Sequence, residues 1–287
     1  MITGVLAVAR ARFPPWHVHP TVWLVVAAME GLYLLGLRRF RPEGERASRA
    51  QVVTFSAGVV ATWVAADWPI HDIAERSLYS VHMVQHILLS LVAPPLLLLG
   101  TPEWLARGAL ERFRLMSIMR RLTKPFVALV LFNVTIVVTH WPAMVTVSLH
   151  NEWAHFGLHA LLMTTATLMW FPVLSPLPEL PRLNAAAQMF YLFLQSLVPT
   201  VPASFLTLSD GPLYKAYAHL PKLWGVTTID DQRVAGLLMK VGGGLVLWGF
   251  IASIFFRWAY QEERGEGALL WEDVERELKQ VGPPPAA

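Results

Sequence analysis

Apolar residues along this chain come in blocks too long for strands and too uniform for the one-sided stripe of a soluble surface helix. Seven stretches reach or approach the roughly 20 apolar residues that an α-helix needs to cross a bilayer. They run from Thr21 to Leu37, Gln51 to Ala66, Leu78 to Leu99, Pro125 to Thr139, Glu152 to Val173, Ala185 to Leu206 and Val234 to Trp258. Polar residues collect in the connections. The pattern predicts an all-α, polytopic membrane bundle with about seven transmembrane helices. The second and fourth stretches are the shortest. Each ends in a Trp-Pro pair, Trp68-Pro69 and Trp141-Pro142, where an interfacial aromatic meets a helix breaker. Pro94-Pro95, and Pro199 with Pro202, predict kinks or breaks in the third and sixth helices. The chain divides into a transmembrane domain over residues 1–260 and a polar cytoplasmic tail over residues 261–287, amphipathic between Leu269 and Leu278. Ile2 to Ala9 reads as a short lead-in and not a signal peptide, because Arg10 and Arg12 follow the apolar run instead of preceding it.

Composition agrees with this pattern. Of 287 residues, 55% are hydrophobic and only 15% are charged, against about 25% charged in a soluble domain. That is too little polar surface for a soluble protein, and no basic field is set up for nucleic acid. There is no cysteine, which removes disulfides, thiolate metal sites and CxxC redox chemistry.

Charge sets the expected orientation. Arg38, Arg39, Arg41, Arg46 and Arg49 follow the first helix, and six basic residues from Arg107 to Lys124 follow the third. Arg182 follows the fifth, and Arg257, Arg264, Arg276 and Lys279 end the chain. The opposite side carries Arg10, Arg12, Arg76, Lys215, Lys222 and Arg233. The positive-inside rule makes the first, larger group cytoplasmic. The N-terminus is then outside and the C-terminus inside.

On this topology all ten histidines lie outside or in the outer part of a helix. Two of the helices carry a duplicated pattern. Trp68-Pro69 precedes His82 and His86, and Trp141-Pro142 precedes His155 and His159, each with an offset of 73 residues. The same offset pairs Asp67 with His140. Helices two and three, and helices four and five, therefore read as two parallel hairpin repeats. Residues i and i+4 share a helix face, so each HxxxH pair points one way. At 1.5 Å per residue, His82 and His86 lie about 6 and 12 Å into their helix. Facing repeats would bring four imidazoles together below the outer surface, a ligand set for copper, zinc, iron or nickel. His82, His86, His155 and His159 are the metal-ligating candidates. Asp67, His140, Glu152 and Met83 are secondary candidates, with Glu152 placed to ligate or to orient His155. Met83 and Met144 offer thioethers that favour Cu(I), although methionines in such a bundle are more commonly packing residues. His17, His19, His71 and His219, taken singly, read as interfacial hydrogen-bonding residues. Lys240 lies inside the last helix, where it either snorkels outward or pairs with Asp67 or Asp231.

Several of these segments resemble a known family. His82-Met83-Val84-Gln85-His86, followed by a leucine-rich run and Pro94-Pro95-Leu96-Leu97-Leu98-Leu99-Gly100-Thr101-Pro102, is similar to the multi-spanning CtaG-type cytochrome c oxidase assembly factors. So are His150 to His159 with Trp170-Phe171-Pro172, and Asp231-Gln232 leading to Gly236-Leu237-Leu238-Met239. The similarity extends from the first helix to the seventh. The single-span copper chaperone that shares the CtaG name uses cysteines, which this chain lacks. The resemblance implies a non-enzymatic protein of the bacterial cytoplasmic (inner) membrane that helps mature a haem–copper oxidase at a copper-loading step. Its expected partners are the oxidase subunits and the lipid bilayer, with or without a soluble copper chaperone. The resemblance supplies no ligand set. The copper assignment rests on the histidine pattern and on the copper content of the client enzyme. A metal transporter and a haem-binding electron carrier are the alternatives. An intramembrane metalloprotease would need the glutamate of HExxH, and Met83 and Phe156 occupy that position.

Overall fold

The computed structural model describes residues 13–264, and every regular element among them is helical. The lead-in at Ile2 to Ala9 and the amphipathic stretch from Leu269 to Leu278 lie outside the described residues. In chain order the helices are α1 (Pro20–Arg39), α2 (Arg49–Ala66), α3 (Ile70–Arg76), α4 (Tyr79–Ile87), α5 (Ala93–Gly100), α6 (Glu103–Arg112), α7 (Met116–Leu122), α8 (Pro125–Thr139), α9 (Pro142–His150), α10 (Glu152–Leu174), α11 (Ala185–Leu197), α12 (Thr200–Leu208), α13 (Lys215–Ala218), α14 (Thr228–Leu237) and α15 (Gly243–Glu263). Six runs are long and apolar enough to cross a membrane: Pro20–Arg39, Arg49–Arg76, Tyr79–Gly100, Glu152–Leu174, Ala185–Leu208 and Thr228–Glu263. A seventh is the pair α7 and α8, bent by 75° between them. Alone, the 15 residues of α8 reach about 22 Å, short of a hydrocarbon core of about 30 Å. Six of the expected spans appear as single runs, the fourth expected stretch is the short α8 of the bent pair, and the last helix continues to Glu263.

Local chemistry sets the helix starts. Ser48 and Gln51 form a reciprocal capping box on α2. Asn151, Asn184 and Thr227 cap α10, α11 and α14 by accepting a backbone N–H three residues on. These caps occupy donors that a helix cannot satisfy internally. The prolines act as expected, by two routes. Before Pro94-Pro95 the helix widens into a π-turn over Leu88–Val92, which absorbs the missing N–H and the ring clash. The Ser90 carbonyl accepts from Trp170 Nε1 at 2.9 Å, tying the π-turn to α10. Before Pro199 the sixth span breaks, with α11 ending at Leu197 and α12 starting at Thr200.

Lipid is as apolar as leucine, so burial from water does not hold such helices together; close packing and hydrogen bonds do. Large apolar side chains such as Leu24, Leu32, Phe126 and Leu245 cover the outside, as a lipid-facing surface requires. Inside, α2 lies tightly along α5 at two glycines. A Cβ on Gly58 would press on Leu97, and one on Gly100 would run into the Phe55 backbone. Tyr33 closes the same corner by donating to the Gly100 carbonyl at 2.9 Å. Gly100→Ala must therefore separate the helices. It is expected to cost about 1–3 kcal/mol, the usual range for overpacking, visible as a lower thermal unfolding midpoint in detergent.

The bundle has two chemically distinct ends. The start of α1 meets α3 through His19 and Asp72. Its far end packs against α6, where Gly36 meets Leu105. The arginine-rich connections gather at this far end, where Arg107 bonds Glu103 and Glu179. The histidines gather at the other.

Candidate metal centre

The approach to the histidine helices is fixed by the connection between the sixth and seventh spans. The first turn of α4 would leave free N–H donors. Asp231 on α14 takes two of them: Oδ2 accepts from Tyr79 N at 2.9 Å and Oδ1 from Ser80 N at 3.0 Å. Lys222 completes this buried joint, donating to Asp231 at 3.1 Å and to the Ser77 carbonyl at 2.7 Å. Tyr217 donates to the Ala74 carbonyl and Tyr214 to the His140 carbonyl. The connection between the sixth and seventh spans thus clamps α3 and the junction between α8 and α9, the two segments that lead toward the histidine helices.

The two hairpins have matching layouts. α2 ends at Ala66 and α8 at Thr139, while α4 starts at Tyr79 and α10 at Glu152. Each boundary pair is 73 residues apart, the offset of the histidines themselves. The fillings differ: Glu75 on α3 corresponds in offset to Ser148 on α9, and His71 to Met144.

His82, His86 and His159 converge, with one nitrogen from each within 4.8 Å of the other two. Their rings lie 4.4 Å (His82–His86), 5.4 Å (His82–His159) and 5.2 Å (His86–His159) apart. His82 and His86 are buried, and the Nδ1 of each has no hydrogen-bond partner. His155 touches this group, 4.1 Å from His159 between ring centres and 5.9 Å from His82. It leans toward a second group, formed with His71 and Glu75, whose donor atoms also lie within 4.8 Å of one another. His140 flanks the first group from the far side, 5.1 Å from the His86 ring. Its Nδ1 donates to the Ile136 carbonyl at 2.7 Å, and its Nε2 is buried without a partner.

Unpaired polar atoms are rare in protein interiors, and each asks for an explanation. Here orphaned imidazole nitrogens cluster from several helices around one point. A void of only 10 Å³ remains among His82, His86, Thr139, Ser148, His155, Leu158 and His159. That is about the room needed by a single water or ion. A porphyrin has no space between these rings.

The secondary candidates fare differently. The carboxylate beside His155 is Glu75, at 3.1 Å from Nδ1; Glu152 is exposed at the start of α10 and makes no bond to the ring. Asp67 belongs to neither histidine group: its Oδ2 accepts from the indoles of Trp23 and Trp63 at 2.9 and 2.8 Å, and its backbone carbonyl from His71 N at 3.0 Å. Met83 packs into the apolar core with Tyr79, Leu162 and Met169. Lys240 pairs with neither Asp67 nor Asp231: it is exposed in a π-turn over Leu238–Gly242, and Lys222 has taken Asp231. His17 and His19 both reach Asp72, at 3.5 and 3.0 Å. His71 is no isolated interfacial residue, since it belongs to the group with Glu75 and His155. His150 and His219 are exposed, away from both groups.

Comparison with known proteins adds a family. The chain is similar to the uncharacterized protein ML1998 of Mycobacterium leprae, 21% identical in an alignment of 272 residues that covers 88% of this chain and 40% of that relative's length. No solved structure matches the chain. The family model for the cytochrome c oxidase caa3 assembly factor covers residues 31–261, a stretch that includes every histidine of both groups. The chain belongs to the Caa3_CtaG family of cytochrome c oxidase assembly factors.

Proposed function

We propose that this protein binds Cu(I) at His82, His86 and His159 and hands it to a subunit of a cytochrome c oxidase during assembly. One observation carries the reading: three imidazoles on two helices converge within ligand distance of one another, two of them with a buried, unpartnered nitrogen, and all three line a space the size of one ion. Imidazole alone suits copper, zinc, iron and nickel. Copper is favoured among these because the family assembles an enzyme that contains it. An uncharged three-nitrogen set also suits a monovalent cation in a buried place, where each further charge adds to the desolvation cost. His155 and His140 flank the three rings and supply the next nitrogens for a moving ion.

The positive-inside rule, applied to the basic connections, supports an extracytoplasmic histidine end in a bacterial cytoplasmic membrane. A donor, whether a soluble copper chaperone or the free ion, then approaches from outside, and an oxidase subunit receives the ion within the membrane. The small void among the rings counts against a haem carrier. To test the reading, the purified protein is loaded with Cu(I) under reducing conditions in mild detergent, washed, and analysed for metal. About one retained copper per chain is expected in the Glu75→Gln background, which leaves the three histidines intact. Retention of no copper would remove the proposal, while leaving family and fold in place.

A further inference from the structure

We infer that the protein has a second, separate cation site at His71, Glu75 and His155, suited to a divalent first-row metal. Glu75 sits on α3 with its two oxygens divided between two helices. Oε1 lies 3.1 Å from His155 Nδ1 on α10, and Oε2 lies 3.4 Å from His71 Nε2, one turn earlier on α3. His155 is only 4% exposed, and neither ring nitrogen has a hydrogen bond of acceptable geometry. The short approach to Glu75 is thus a contact without a well-aligned bond. Two imidazoles and a carboxylate whose donor atoms lie within 4.8 Å of one another make a metal-ligand set.

The neighbour of His71 has the chemistry of an outer-shell partner. Gln85 on α4 places its side-chain amide 3.4 Å from His71 Nδ1, and Gln85 Oε1 is buried without a partner. The oxygen and nitrogen of an amide exchange by a half-turn. Turned that way, Oε1 accepts the Nδ1 proton and the His71 Nε2 lone pair is left for a cation. A metal-bound histidine usually has its other nitrogen held this way.

Charge separates this site from the three-histidine set. The glutamate gives it one negative charge and a hard oxygen, which favours a divalent cation over Cu(I). The repeat-equivalent position in the second hairpin is Ser148, which lines the void beside His82, so the site is not duplicated. It also has an approach. A cavity of 340 Å³ between α1, α2 and α10 is lined by His19, His71, Glu75, Glu152, His155 and His159. The cavity borders both sets, since His159 lines it beside His71, Glu75 and His155, and the His155 ring is 4.1 Å from that of His159. A role in passing metal inward rests on the copper proposal above; the site itself does not.

The test uses the full chain in detergent, with Co²⁺ followed by its visible absorption and Cu(I) followed by metal analysis. The parent is expected to bind one Co²⁺, displaceable by Zn²⁺. Glu75→Gln should weaken Co²⁺ by more than about tenfold, the lower end for loss of a mere outer-shell partner, while Cu(I) loading stays unchanged. His86→Ala should do the reverse. Equal Co²⁺ affinity in parent and Glu75→Gln, no Co²⁺ in the parent, or equal loss in both variants would each overturn the second site. If Glu75→Gln loses both metals through misfolding, His71→Ala at the more accessible ligand decides by the same criteria. A parent that binds Co²⁺ in this pattern but no Cu(I) would sink the copper proposal and leave this site standing.

Discussion

Alanine at both His86 and His159 is expected to abolish Cu(I) retention and, in cells, to leave the client oxidase short of copper. The two substitutions take one imidazole from each histidine helix and leave His82 as the sole member of the three-ring set. Loss of an outer-shell partner alone typically costs 10–100-fold in metal affinity, so loss of two direct ligands should exceed about 100-fold. The fold should tolerate the change. The nitrogens removed are not holding helices together: His86 Nδ1 has no protein partner, and the backbone carbonyl of His86 that accepts from Ser90 remains. A folded variant, with a thermal midpoint lowered by no more than the two small cavities account for, and with lost copper and lost oxidase maturation, is the expected result. Unimpaired maturation in the double variant would show that delivery does not pass through these rings.

The second large effect is expected at Asp231, remote in sequence from the histidines of both groups. Asp231→Ala removes a carboxylate that is 1% exposed and serves three donors: Tyr79 N, Ser80 N and Lys222 Nζ. Truncating one partner of a buried ion pair costs about 3–5 kcal/mol, and loss of a cap typically costs about 1 kcal/mol. The terms overlap, because the same oxygens serve both. A loss of about 4 kcal/mol is expected, seen as a large fall in the unfolding midpoint. Lys222→Met should cost less, since Asp231 keeps both backbone donors. Asp231→Asn should fall between, with one carbonyl oxygen left to accept. Copper retention should fall with Asp231→Ala, because His82 lies within the turn that Asp231 anchors. Wild-type stability in Asp231→Ala would mean that α4 is positioned by something other than this joint.

Much of the architecture could be read from the sequence because its cause is local. A span is a length of apolar residues, and the histidine pairs are an i, i+4 spacing on a helix already identified. The 73-residue offset then suggested which helices to bring together, and the rings do meet. What failed to show was contact made across space by residues with no periodic sign. Glu75 lies on a seven-residue helix, too short to announce a face, and reaches His155 from a different hairpin. Glu152 is the nearer carboxylate in sequence, three residues from His155, but it makes no bond to the ring and lines the approach cavity instead. His71 looked isolated because its partners are Glu75 and His155, not another histidine at helical spacing. Lys240 drew attention as a charge inside an apolar run. The π-turn at Leu238–Gly242 carries it to an exposed position, and the lysine that matters to Asp231 is Lys222, in a loop that hydropathy passes over.

The central claim is that copper sits among imidazoles and nothing else. X-ray absorption at the copper edge, on Glu75→Gln protein loaded with one equivalent of Cu(I), tests it most directly. The account predicts a first shell of nitrogen with the outer-shell scattering of imidazole rings and no sulfur, all of it lost with His86→Ala and His159→Ala. A sulfur shell would place the ion at methionine instead, and an imidazole shell that survives the double substitution would place it away from His82, His86 and His159; either result contradicts the account.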